Sequence, residues 1–189
     1  RVRSSAASDV YKRQDINGIN YFSDPTSAKR IADLNKFKAI WRDIAERFKD
    51  CPETLLFEVF NEPYFWLSAN EISTISSDII NIVRSSGSNN ESRKIIITGG
   101  DTNSWEVIFQ IPNDLINSDP NLIATFHYYQ PMSFTSSMQE NNNNFNLSQN
   151  AKNQITQRFG QINSWSTTNN IPVYLGEFGA DNENGINYW

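Results

Sequence analysis

Leu55-Leu56-Phe57-Glu58-Val59-Phe60-Asn61-Glu62-Pro63 decides the fold: a short, almost unbroken apolar run ends abruptly in an amide, a carboxylate and a proline. Runs of this kind mark strands buried on both faces, and such strands belong to parallel sheets. Upstream, Leu34, Phe37, Trp41, Ile44 and Phe48 fall at steps of three and four, which predicts an amphipathic helix ended by Cys51-Pro52. Downstream, Ser68-Ala69-Asn70-Glu71 has the pattern of a capping box, with hydroxyl and carboxylate each able to satisfy a free backbone N–H. Ile72, Ile75, Ile79 and Ile82 continue that helix, and Gly87 is its expected stop. A second strand, Ile95-Ile96-Ile97-Thr98, is closed by Gly99-Gly100, and a third is Leu122-Ile123-Ala124-Thr125-Phe126. Residues 104–117 hold at most a short helix around Val107, and residues 132–150 read as a long polar loop with an Asn tract. Ile155, Phe159 and Ile162 mark a further helix, and Pro172-Val173-Tyr174-Leu175 a fourth strand.

This alternation is that of an α/β protein with parallel strands. No Gly-rich phosphate loop follows any strand, so a nucleotide-binding doubly wound sheet has no support. Four such strands fit either an open doubly wound sheet or part of a (β/α)8 TIM barrel, which when complete needs eight strands and about 250 residues. The chain supplies about half of such a barrel.

Composition narrows the chemistry. The 189 residues carry 16 Lys+Arg against 21 Asp+Glu, a formal net charge of -5, which leaves no electrostatic footprint for nucleic acid or anionic membrane. No apolar run approaches the roughly 20 residues that span a bilayer. Cys51 is the only cysteine and His127 the only histidine, so an intrachain disulfide and the common zinc sites are excluded. No metal or organic cofactor is expected. The chemistry rests on carboxylates, aromatics and amides.

Residues 1–14, RVRSSAASDVYKRQ, have neither helical nor strand periodicity and no apolar centre of a signal peptide. They resemble the translation of a sequencing adaptor and are set aside from the fold, the alternative being a flexible N-terminal arm. Residues 15–189 are then expected to be part of a catalytic domain. Asn90-Glu91-Ser92 and Asn146-Leu147-Ser148 match N-glycosylation acceptors, a match expected by chance in so Asn-rich a chain.

Three polar clusters each follow directly on an apolar strand: Asn61-Glu62-Pro63, His127-Tyr128-Tyr129 and Gly176-Glu177-Phe178-Gly179. Barrel enzymes place their catalytic groups at the carboxyl ends of the strands. Two Glu and the sole His in one topological position form a constellation. Facing carboxylates suit glycoside hydrolysis, in which one donates a proton to the leaving oxygen and the other acts as an anion at the anomeric carbon. Gly176 and Gly179 are expected to let substrate approach the backbone closely. Standing alone, His127 reads as a satisfied core histidine, and Tyr129 as a core residue with its hydroxyl at the rim. Trp66 and Trp105, in loops after the first two strands, are candidate sugar-stacking platforms, whereas Trp41 and Trp165 read as packing residues on helices.

FEVFNEP at 57–63, FHYYQP at 126–131 and LGEFG at 175–179 resemble the strand 4, 6 and 7 signatures of glycoside hydrolase family 5, the cellulase-like retaining barrels. The resemblance extends over residues 35–180. It implies that Glu62 is the acid/base, Glu177 the nucleophile, Asn61 a ligand of the sugar 2-hydroxyl, and His127 and Tyr129 groups that orient the carboxylates. The family's strand 2 Arg, strand 3 His and strand 8 Trp have no counterpart here, and the loop after His127 departs from that of close relatives. The implied activity is a secreted, retaining endo-β-1,4-glucanase acting on polysaccharide, monomeric when full length. β-Mannan, xyloglucan and mixed-linkage glucan are alternative substrates, and a non-catalytic carbohydrate-binding barrel is the rival reading. With strand edges open, the 189-residue chain alone is expected to be poorly stable and inactive.

Overall fold

The computed structural model describes residues 28–63, 67–135 and 147–180 of the chain. The N-terminal 14 residues, Trp66, the Asn tract and Asn146 fall outside the described residues. The elements in order are α1 (Ala28–Phe48), β1 (Phe57–Glu58), α2 (Ala69–Ser85), β2 (Ile95–Ile97), α3 (Asn113–Ile116), β3 (Leu122–Tyr128), α4 (Met132–Thr135), α5 (Gln149–Asn169) and β4 (Val173–Phe178). Short 3-10 turns at Ser88–Glu91 and Val107–Gln110 flank β2.

The strands form one sheet in the order β1-β2-β3-β4, every neighbouring pair parallel. Spatial order therefore follows chain order without reversal. A doubly wound sheet reverses at its switch point, whereas a barrel winds in one direction. This is half of an eight-stranded barrel, with α2 and α5 as the long crossovers.

The helices cover one face of the sheet. Phe37 of α1 stacks on Phe60 at 5.2 Å, and Trp41 meets Phe57 edge-on at 5.7 Å. Ile72, Ile79 and Val83 of α2 are buried with Ile95 and Ile97 of β2, each such side chain contributing about 1.5–3 kcal/mol on full burial. Phe159 of α5 lies edge-on to both Phe126 and Tyr128. Trp41 and Trp165 pack with this core, as expected of them.

The capping box forms as read: Ser68 Oγ accepts the Glu71 N–H at 3.3 Å and Glu71 Oε2 accepts the Ser68 N–H at 2.9 Å. Glu71 also receives Arg30 of α1, so one carboxylate caps α2 and ties it to α1. Gly87 follows the Ser86 C-cap with φ +74°. Arg93 is fully buried and holds the segment that feeds β1. Its guanidinium donates to the carbonyls of Phe48, Cys51, Pro52 and Leu55 and to Asn90 Oδ1. Burial depresses its pKa below the usual arginine value. Asn90 is itself completely buried, its amide donating to Ala45 O and Ser86 Oγ, so that sequon has no room for a glycan.

Three local expectations need correction. α3 lies in the stretch read as holding one short helix, because its Pro112 N-cap offers no side-chain signal. Met132–Thr135 forms a helical turn at the start of the stretch read as loop, with the Thr135 hydroxyl donating to Tyr129 O. Finally, β3 and β4 run past their apolar residues to include His127 and Glu177.

Candidate active site

The carboxyl ends of β1, β3 and β4 bring together Glu62, His127 and Glu177. His127 Nδ1 shares a hydrogen bond with Glu62 Oε1 at 2.8 Å and lies 3.5 Å from Glu177 Oε2. The Tyr129 hydroxyl donates to that same Glu177 oxygen at 2.9 Å. The imidazole is 2% exposed, whereas Glu62 and Glu177 retain 27% and 41%. One buried ring thus bridges two carboxylates that reach the surface, where a substrate can meet them. Asn61 lies half-buried beside Glu62.

The backbone explains the placement of His127. Its N–H donates to Asn103 O at 2.6 Å, in a parallel bridge with Ser104. The loop that presents this carbonyl is held by its own side chains. Thr98 Oγ1 donates to Asn103 Oδ1 at 2.5 Å and accepts from the Gly100 N–H, while the Asn103 N–H closes on Gly100 O. Asn103 sits at φ +52°, a region Asn tolerates better than most residues. A Cβ on Gly99 would lie 1.7 Å from Val107 O, so no larger residue fits there. Thr98, Gly99 and Asn103 were not singled out in the sequence as site residues; the Gly99-Gly100 pair closing a strand was their only signal.

Trp105 is half-buried, with the Arg158 guanidinium 5.1 Å from its ring centroid and Phe109 edge-on at 6.0 Å. Arg158 also donates to the Tyr128 hydroxyl, so these residues join the loop after β2 to α5. The expectation for Gly176 changes: the space above its Cα is taken by Thr125 and His127, not left for substrate.

Glu62, His127 and Glu177 are also the set among the described residues whose ligand atoms, all within 4.8 Å of one another, could surround a metal ion. The hydrogen bond between Glu62 and His127 already engages two of those atoms. Among the described residues, no helix is long and apolar enough to cross a membrane.

The comparisons with known proteins agree with the fold. Endoglucanase H of Acetivibrio thermocellus is 40% identical over 145 residues, covering 77% of this chain and 15% of the relative. Endoglucanase B of Ruminococcus albus is 32% identical over 176 residues, covering 86% and 41%. Among solved structures, a glycoside hydrolase 5 lichenase from Caldicellulosiruptor sp. F32, in complex with cellotetraose, superposes with a TM-score of 0.70 at 26% identity, covering 88% of this chain and 51% of that one. The chain therefore spans from about a seventh to about half the length of these relatives. The family model for cellulase, glycosyl hydrolase family 5, matches residues 12–188, and the chain belongs to that family.

Proposed function

We propose that this chain is the strand 4 to 7 portion of a retaining endo-β-1,4-glucanase, with Glu62 as acid/base and Glu177 as nucleophile. The observation that carries the reading is the separation of the carboxylates. One oxygen of each lies against His127 Nδ1, at 2.8 and 3.5 Å, and a ligand oxygen from each falls within 4.8 Å of the other, so the two carboxylates stand close together. Retaining glycosidases hold the pair about 5–5.5 Å apart, while inverting ones need about 6.5–9.5 Å to admit a water.

In the first step a Glu177 oxygen attacks the anomeric carbon, and the bond to the glycosidic oxygen breaks. Glu62 gives its proton to that departing oxygen, leaving a covalent glycosyl ester on Glu177 and an ionised Glu62. In the second step Glu62 takes a proton from water, the water oxygen attacks the anomeric carbon, and Glu177 leaves as a carboxylate. Two displacements give net retention. With Nδ1–H of His127 donating to Glu62 Oε1, the other carboxyl oxygen is left to carry the proton to the glycosidic oxygen, and the same bond holds the acid/base once it is ionised. Tyr129 donates to Glu177 and fixes the attacking carboxylate. Asn61, beside the acid, is assigned to the sugar 2-hydroxyl, and the loop that carries Trp105 to the subsites beyond.

β-1,4-Glucan is the substrate the named relatives favour: two are endoglucanases, and the lichenase was solved with cellotetraose. That last structure also makes mixed-linkage glucan the second substrate to examine. A polymer of this size is degraded outside the cell, so secretion is part of the proposal. The test is release of reducing ends from carboxymethyl-cellulose, mixed-linkage glucan, β-mannan and xyloglucan by the protein expressed from its complete reading frame. Glu177→Ala should abolish the release. Undiminished hydrolysis in that variant would remove the assignment, and a folded but inert wild type would favour a carbohydrate-binding barrel.

A further inference from the structure

We propose that Gly176 is a positioning residue for the catalytic pair, acting through His127; the inference rests on the glycosidase reading above. Two features of β4 lead to it.

The first is the register. Phe126 pairs with Leu175, but His127 pairs with Glu177, so Gly176 and Glu177 together oppose a single residue of β3. That is a β-bulge, which re-aims the side chains that follow it. In an unbroken strand, alternate residues share a face. Val173 and Leu175 pack against the core beneath the helices, and strict alternation would send Glu177 to that same face. The inserted residue reverses the alternation. Glu177 emerges opposite His127 with its Oε2 within 3.5 Å of Nδ1, whereas Phe126 and Tyr128, which flank His127, stay in the core.

The second is the space over the inserted residue. A Cβ on Gly176 would lie 2.9 Å from Thr125 Oγ1 and 3.1 Å from both Cδ2 and Nε2 of His127. Its φ lies outside the left-handed region, so the backbone would accept alanine. The constraint is volume alone. His127 is 3% exposed, and its other edge is engaged with Glu62. A methyl group at 176 therefore pushes the ring toward the acid/base carboxylate or swings it off that hydrogen bond.

Misplacement of catalytic groups by about an ångström can cost up to 100-fold in rate. A shift of a few tenths should lower kcat by about tenfold with KM within about twofold. A cycle of Gly176→Ala, His127→Ala and the double variant, in the protein from the complete reading frame, tests the route of action. Because the methyl acts through the imidazole, Gly176→Ala should add no further kcat loss in the His127→Ala background. The drop in urea midpoint caused by Gly176→Ala should be smaller in the His127→Ala background, where the contacts at 3.1 Å are gone and only that with Thr125 Oγ1 remains, an outcome still readable if the single variant fails to fold. Additive losses, or a Gly176→Ala enzyme with unchanged kcat, would overturn the proposal. Failure of the glycosidase reading is distinguishable, because the wild type would then release no reducing ends while the stability cycle would still report the 176–127 contact.

Discussion

Tyr129→Phe separates the two chemical steps, because the hydrogen bond it removes has opposite effects on them. The hydroxyl donates to Glu177 Oε2 at 2.9 Å, with Tyr129 38% exposed and the Glu177 side chain 41% exposed. Hydrogen bonds to ionised groups contribute about 1.5–3 kcal/mol. Solvent this close points to the lower figure, and about 1.5 kcal/mol corresponds to about tenfold in rate. During attack Glu177 loses its negative charge, so the bond stabilises the starting state more than the transition state. During release of the sugar the charge returns, and the same bond lowers that barrier. Removing the hydroxyl should slightly speed formation of the glycosyl-enzyme and slow its hydrolysis about tenfold. With an aryl cellobioside bearing a fast leaving group, kcat should fall about tenfold and KM in parallel, with kcat/KM within about threefold of wild type. Rapid mixing should show a phenolate burst approaching one equivalent per site. A loss in kcat/KM as large as that in kcat, with no burst, would refute the reasoning and make Tyr129 a group needed for attack.

Two further predictions concern the frame around the site. Arg93→Met takes away the guanidinium donors of Leu55 O and Asn90 Oδ1, while Phe48 O, Cys51 O and Pro52 O each keep another donor. At about 1–3 kcal/mol for each stranded acceptor, less the relief of no longer burying a cation, the loss should be about 3 kcal/mol, read as a lower urea midpoint at constant slope; a change below about 0.5 kcal/mol would show that desolvation cancels the network. For Asp119, burial opposes ionisation, but the hydrogen bond from Arg84, the Asn121 N–H and the charges of Arg84 and Lys94 outweigh it and hold the carboxyl below its usual range. Its stabilising effect is therefore fully present above the unfolded value of about 3.9 and is lost as pH falls through the lower folded value. Asp119→Asn should cost about 2 kcal/mol at neutral pH, with the gap from wild type closing only below about pH 4; a gap unchanged down to pH 2 would contradict the pairing.

The parallel sheet was legible because its strands are apolar runs, and apolar runs with helical spacers between them admit few arrangements. The site was legible for a related reason. Glu62, His127 and Glu177 interrupt apolar strands at equivalent points, and a buried or half-buried ionisable group there calls for a partner. What stayed hidden depends on contacts far apart in the chain. The bulge at Gly176 exists only in the pairing of β3 with β4. The hold on His127 comes from a carbonyl at Asn103, and any residue has a carbonyl. Arg93 looks like a surface charge in the sequence, since only the folded chain reveals the carbonyls of 48–55 converging on it. Trp105 was legible as a loop tryptophan and so as a candidate sugar platform, but its neighbours Arg158 and Phe109 come together with it only in the fold.

The most direct test of the account is to trap the covalent intermediate. A 2-deoxy-2-fluoro-β-cellobioside with an activated leaving group slows both steps and favours accumulation of the glycosyl-enzyme. Peptide mass mapping of the protein from the complete reading frame should then place one fluorocellobiosyl adduct on Glu177. Glu62→Ala should still form it with such a leaving group, because no proton donor is needed for departure. An adduct on another residue, or efficient hydrolysis with inverted product and no adduct, would contradict the account.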